Sequence, residues 1–256
     1  MVIEKMQMHY EMATKIVPKE QIIGVFLRGS QNYGLEIETS DVDTLCLVVP
    51  SVEELVRAER PLSEEVLVGE DGGHITFMDI RDFVKKLMSQ NPNVLEVLFA
   101  RFAIRNTDFG MNWYELYSRR EEIAHYNEKQ MLNTTVCMAI TELARMKKGK
   151  YTDKGLVLIL RLRDLMINYM AGESFENSLR PNELIFLQNI KRGIVVRDCM
   201  EGIVAAENAV DCMKKMYNQY IENHSFKVSA ELSDFLYKMQ YKFCTDHWRW
   251  ELQEND

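Results

Sequence analysis

Gln21-Ile22-Ile23-Gly24-Val25-Phe26-Leu27-Arg28-Gly29-Ser30, followed by Asp41-Val42-Asp43-Thr44-Leu45-Cys46-Leu47-Val48-Val49, is the stretch whose reading decides the fold. Both apolar runs are short and rich in β-branched residues, the pattern of buried strands. The first ends in Arg28-Gly29-Ser30; the second opens on Asp41 and is closed by Pro50, which cannot donate to a ladder. Between them, 31–38 reads as a short linker of helical or turn character.

Outward from this pair, the chain begins with an amphipathic helix ended by Pro18. Ser51-Val52-Glu53-Glu54 can cap and start a helix, and Gly69-Glu70-Asp71-Gly72-Gly73 forms a turn into a third strand over 74–78, which suggests a hairpin. Asp79 caps a helix whose buried stripe is Phe83, Leu87 and Met88, and a short helix over 94–99 follows Asn91-Pro92. After about Asn112 the pattern is helical, through 131–147, 154–170, 183–191, 203–220 and 230–250, with Gly149, Gly172, Pro181 and Gly193 in the separators. The expected fold is α+β: a small mixed β-sheet domain over 1–108, then an α-helical domain over 109–256.

At 256 residues and 46% hydrophobic content, the chain suffices for one large domain or two small ones. A formal net charge of −8 excludes coating nucleic acid by bulk electrostatics and leaves room only for a local basic groove. Five cysteines, an odd number with no C-x-x-C pair, fit a reducing compartment. Glu4, Lys5, Glu11 and Lys15 interrupt the first apolar residues, and no long uncharged run follows, so the expected location is cytoplasmic, with no membrane partner. The sixteen methionines read as core filling.

The chemistry resides in Gly29-Ser30 at the end of one strand and Asp41-x-Asp43 at the start of the next. Small residues allow backbone N–H groups to approach a triphosphate closely. Divalent cations of the Mg²⁺ type demand oxygen ligands, preferably carboxylates. Residues two apart on a strand share a face, so Asp41 and Asp43 aim together while Val42 points into the core.

Gly29-Ser30-Gln31-Asn32-Tyr33-Gly34-Leu35 and Thr39-Ser40-Asp41-Val42-Asp43 resemble the G-S-x-x-Y-G-L and S-D-x-D pattern of polymerase β-like nucleotidyltransferases. The closest resemblance is to a predicted nucleotidyltransferase family that includes RNA-repair-pathway-associated members. Asp79-Ile80-Arg81-Asp82-Phe83 and Asn91-Pro92-Asn93-Val94-Leu95-Glu96 are similar to further stretches of that family, as are Tyr151-Thr152-x-Lys154 with Arg161, and 184–193. The resemblance implies transfer of NMP from a nucleoside triphosphate to an acceptor hydroxyl on RNA, a protein or a small molecule. Mg²⁺, or Mn²⁺, would be held by Asp41 and Asp43, and the nucleotide by Arg28, Gly29, Ser30, Tyr33, Ser40, Lys154 and Arg161.

His74 stands where the family's third carboxylate is expected, and an imidazole is a poor match for Mg²⁺. Asp71 reaches the site only if its turn folds back, and Asp79 reads as a helix cap on the opposite strand face. Three readings follow: a two-carboxylate enzyme, an enzyme with His74 as base or ligand, or a nucleotide-binding relative with little turnover, acting as a binding or partner module. Tyr33 packs the linker or touches nucleotide, and Arg28 pairs with a carboxylate or with phosphate. Lys154 and Arg161, seven apart on one helix, share a face. His9, His125, His224 and His247 lack metal-ligand spacing and read as structural or surface residues.

Overall fold

The computed structural model describes residues 2–68, 73–196 and 198–254. Asp71 and most of its turn lie outside the described residues. Helix α1 (Val2–Ala13) precedes β1 (Ile22–Arg28), the one-turn α2 (Ser30–Tyr33) and β2 (Asp43–Val48). Then come α3 (Val52–Val56), β3 (Ser63–Val68), β4 (Gly73–Asp79), α4 (Ile80–Met88) and α5 (Pro92–Leu95). A 3₁₀ turn over Glu96–Phe99 leads to β5 (Ala103–Arg105). The rest is helical: α6 (Gly110–Ser118), α7 (Arg120–Ala124), α8 (Glu128–Lys147), α9 (Asp153–Met170), α10 (Phe175–Ser178), α11 (Leu184–Lys191), α12 (Cys199–Asn223) and α13 (Ala230–Glu254).

The five strands form one mixed sheet in the order β3-β4-β2-β1-β5. β1 and β2 are antiparallel with Arg28 opposite Asp43, β4 runs parallel to β2, and β3 returns antiparallel along β4. The sheet is therefore the mixed one expected. β3 and β4 form the antiparallel hairpin that the turn ahead of 74–78 suggested, although Ser63–Val68, with two glutamates, shows no apolar run of its own; β5, with only three residues over Ala103–Arg105, was not expected.

Alternation along the strands assigns two cores. Cys46, Val48, Ile75, Phe77 and Val68 pack with Ala13 and Val17 from the α1 side. Leu45, Leu47 and Met78 face the opposite way, into a larger core that continues through α4, α6, α8, α9, α12 and α13. A β-bulge between Ile22 and Gly24 shifts the alternation by one, so that Ile22 shares a core with Val25 and Ile23 shares the other with Phe26. On β2 the even residues therefore serve the α1 side, while Asp43 opens toward the helices.

The turn chemistry is local. Ser51 and Glu54 close a capping box on α3, and Asp79 accepts the Arg81 N–H at the start of α4 while its carboxylate pairs with the Arg81 guanidinium at 2.6 Å. Buried and engaged on the far side of the sheet, Asp79 is a structural residue. His9 likewise contacts Thr44 Oγ1 at 2.8 Å beneath the sheet.

Candidate functional site

β1 ends where its backbone must turn away from the sheet. Gly29 adopts φ 71° and ψ −152°, a region essentially restricted to glycine, and a Cβ there would approach Asp43 Oδ2 at 3.5 Å. The chain then winds through α2 and stops at Gly34, left-handed at φ 78°. This path brings the 35–41 segment back to the sheet, with Asp41 just ahead of β2 and Asp43 opening it, one strand over from β1.

Here the sheet and α9 enclose a cleft of about 440 Å³. One rim is acidic. Donor atoms of Asp41, Asp43 and His74 lie within 4.8 Å of one another. The His74 N–H donates to Asp43 Oδ1 at 3.3 Å, and His74 Nδ1 lies 3.5 Å from the same oxygen. Burial and the neighbouring Asp41 carboxylate, in that order, push the Asp43 pKa above its ordinary value. Two adjacent carboxylates with an imidazole beside them, one already destabilised as an anion, suit a divalent cation. The oxygens fit Mg²⁺ or Mn²⁺, and the imidazole fits them less well.

The opposite wall is cationic. Lys154 Nζ lies 3.4 Å from Asp41 Oδ2, and Arg161, two turns farther along α9, lines the cleft although only 4% exposed. Its guanidinium stacks 4.2 Å over the Tyr33 ring, and Nη2 donates to Asn93 Oδ1 at 3.4 Å. Nη1 is buried without a hydrogen-bond partner. Beneath it, the Tyr33 hydroxyl donates to Glu96, whose other oxygen lies 3.7 Å from Arg28 Nε. Tyr33 is held above its ordinary pKa mainly by burial, so this hydroxyl is a neutral donor.

Arg28, Gly29, Ser30, Tyr33, Lys154 and Arg161 thus all border the cleft that holds the two aspartates and His74. Ser40 is engaged differently: its Oγ accepts from the Ile37 N–H and from Lys191 Nζ, which also donates to the Leu35 carbonyl. Lys191, Asn93, Glu96, Glu65 and Thr76 border the cleft as well. Sequence reasoning assigned none of them a role. Asn93 and Glu96 lie inside the Asn91-Pro92-x-x-Leu95-Glu96 stretch, which was the signal for them; Lys191 stands at the end of α11 and carries no local signature.

No described helix is long and apolar enough to cross a membrane. No curated protein matches the chain. Among solved structures, a nucleotidyltransferase-like protein from Exiguobacterium sibiricum is similar at 8% identity and a TM-score of 0.33, over 85% of this chain and 78% of that one. The model of the RNA repair pathway DNA polymerase beta family, RlaP, matches residues 4–168, from α1 through the whole sheet to Lys154 and Arg161 on α9, and the chain belongs to that family.

Proposed function

We propose that the protein is a Mg²⁺-dependent nucleotidyltransferase, with Mn²⁺ as an alternative ion, that moves NMP from a nucleoside triphosphate to an acceptor hydroxyl. The observation that carries this reading is the single cleft with Asp41 and Asp43 on one rim and Lys154, Lys191 and Arg161 facing them. In this reading the sheet region 1–108 supplies the carboxylates and the helical region 109–256 supplies the cations. The pair of regions acts as a two-sided clamp.

Asp41 and Asp43 would hold the cation, with His74 beside them. When bound, the ion supplies charge neutralisation for the triphosphate and polarises the reacting oxygens. Lys154 gives up its contact with Asp41 for a phosphate oxygen, and the unpaired Arg161 Nη1 takes another. Gly29 leaves space beside Asp43 for phosphate to approach the backbone, with Ser30 as a hydroxyl donor. Tyr33 and Glu96 fix Arg28 and Arg161 so that little reorganisation follows binding. Val157 and Leu158 give the cleft an apolar patch suited to a base or ribose.

The test is incubation of labelled nucleoside triphosphates with RNA, protein and small hydroxylated acceptors, comparing wild type with the Asp41→Asn/Asp43→Asn variant. Label transfer should fall by about a thousandfold or more, the equivalent of several kcal/mol of transition-state stabilisation. Equal transfer by both proteins overturns the assignment. His74 at the third position favours a second reading, a nucleotide-binding module without turnover. That reading requires nucleotide-dependent thermal stabilisation without pyrophosphate release.

A further inference from the structure

Four carboxylates border the cleft: Asp41, Asp43, Glu65 and Glu96. Glu96 is 1% exposed and committed to Tyr33 and Arg28. Asp41 faces Lys154, and Asp43 takes the His74 N–H. Glu65 alone among these four has no hydrogen-bond or ion-pair partner among the described residues.

Its position is fixed by strand register. Val66 and Val68 pack into the α1-side core, so Glu65 leaves β3 on the cleft side. It stands opposite Thr76, while Leu67 stands opposite His74. Glu65 and His74 are therefore diagonal cross-strand neighbours on one face, about 7–8 Å apart, a separation that long side chains span. His74 in turn touches Asp43. The same cleft holds the buried, unpartnered Nη1 of Arg161, an independent mark of an anionic ligand whose charge a cation would have to balance.

We propose that Glu65 is the third carboxylate of the cation site, reaching from the outer strand β3 past Thr76 toward the place where β4 carries His74. This inference rests on the reading that Asp41 and Asp43 hold the cation. Without the ion, Glu65 is exposed and solvated; with it, the side chain exchanges water for the metal and supplies the hard oxygen that His74 lacks. Geometry shifts the carboxylate by one strand, and His74 becomes a neighbour on which ion binding does not depend.

The experiment is titration with Mn²⁺ alone and with a non-hydrolysable nucleoside triphosphate analogue, read by electron paramagnetic resonance of free Mn²⁺. It uses full-length wild type, Glu65→Gln, Asp41→Asn/Asp43→Asn, His74→Ala and the double variant Glu65→Gln/His74→Asp. Glu65→Gln should weaken Mn²⁺ binding about tenfold with an unchanged melting temperature. His74→Ala should change it little, and adding His74→Asp to Glu65→Gln should restore the lost affinity. Unchanged binding by Glu65→Gln, with binding lost in the Asp41/Asp43 variant, overturns the role of Glu65 and leaves the aspartate site standing. Mn²⁺ binding that persists in the Asp41/Asp43 variant overturns both.

Discussion

The two sides of the cleft are built differently. On the floor, Tyr33, Glu96 and Arg161 are buried, and with the half-buried Arg28 they engage one another through a hydrogen bond, an ion pair and a stacked guanidinium. On the rim, Asp41, Asp43 and His74 are partly exposed, and their contacts with Lys154 and with each other measure 3.3–3.5 Å. Open to water, such contacts are screened and weak, whereas those of the floor are shielded by burial. The floor is thus set by the fold before any ligand arrives, whereas the rim is left for a ligand to tighten. Disturbing the floor should cost stability first and binding second, and disturbing the rim should do the reverse.

The strongest way to break this comparison is to remove Glu96. Glu96→Ala strands the Tyr33 hydroxyl and leaves Arg28 without its carboxylate. We expect a loss of about 3 kcal/mol or more, the usual cost of breaking a buried charge pair from one side. In thermal unfolding that corresponds to a drop of roughly 6–12 °C. An unchanged melting temperature would show that the floor is no more pre-built than the rim. The next effect is smaller: Arg161→Lys keeps the charge but loses the planar stack on Tyr33 and the bond to Asn93. Triphosphate affinity measured by calorimetry should fall about tenfold.

This contrast also explains what the sequence could disclose. The rim was legible because its parts are local: two apolar runs, a glycine at positive φ and two aspartates two residues apart at the start of a strand, Asp43 opening it and Asp41 just ahead of it. The Asp79 cap was legible for the same reason. The floor depends on distant pairings, Tyr33 with Glu96 and Arg161 with Asn93, which no short window contains. Arg28 read equally well as a partner for a carboxylate or for phosphate, and only the packing of Glu96 beneath it shows the carboxylate. β3 was legible only through the turn ahead of β4, because Glu64 and Glu65 interrupt the alternation that a strand buried on one face would otherwise show.

Lys191 joins the two sides, and its titration sharpens the comparison. Burial, and next the nearby Lys154 charge, hold its pKa below the ordinary 10.5. It therefore loses its proton at lower pH than an exposed lysine would. As pH rises toward that ordinary value, triphosphate affinity should fall earlier than a surface lysine predicts. Lys191→Arg should move the fall to higher pH. Lys191→Met should remove the alkaline step and lower neutral-pH affinity by a factor of about three, partly because Leu35 and Ser40 lose their tether. Calorimetric titrations across the alkaline range supply the measurement.

The smallest effect tests the rim itself and has an unusual sign. Asp43 has a raised pKa, so the folded state holds that proton more tightly than the unfolded chain does. Its contribution favours folding below the ordinary value of 3.8 and is lost as pH rises through the raised one. Asp43→Asn keeps the neutral form at every pH. Without divalent cation the variant should therefore melt slightly higher than wild type near neutrality, with no advantage in acid. The gain should stay below about 1 kcal/mol, because the side chain is 42% exposed and water screens it. Adding Mn²⁺ should invert the order: the ion stabilises wild type by mass action and leaves the variant nearly unmoved. A variant that melts lower than wild type in chelator would mean that Asp43 contributes to the fold, as the floor does, rather than being strained for a ligand.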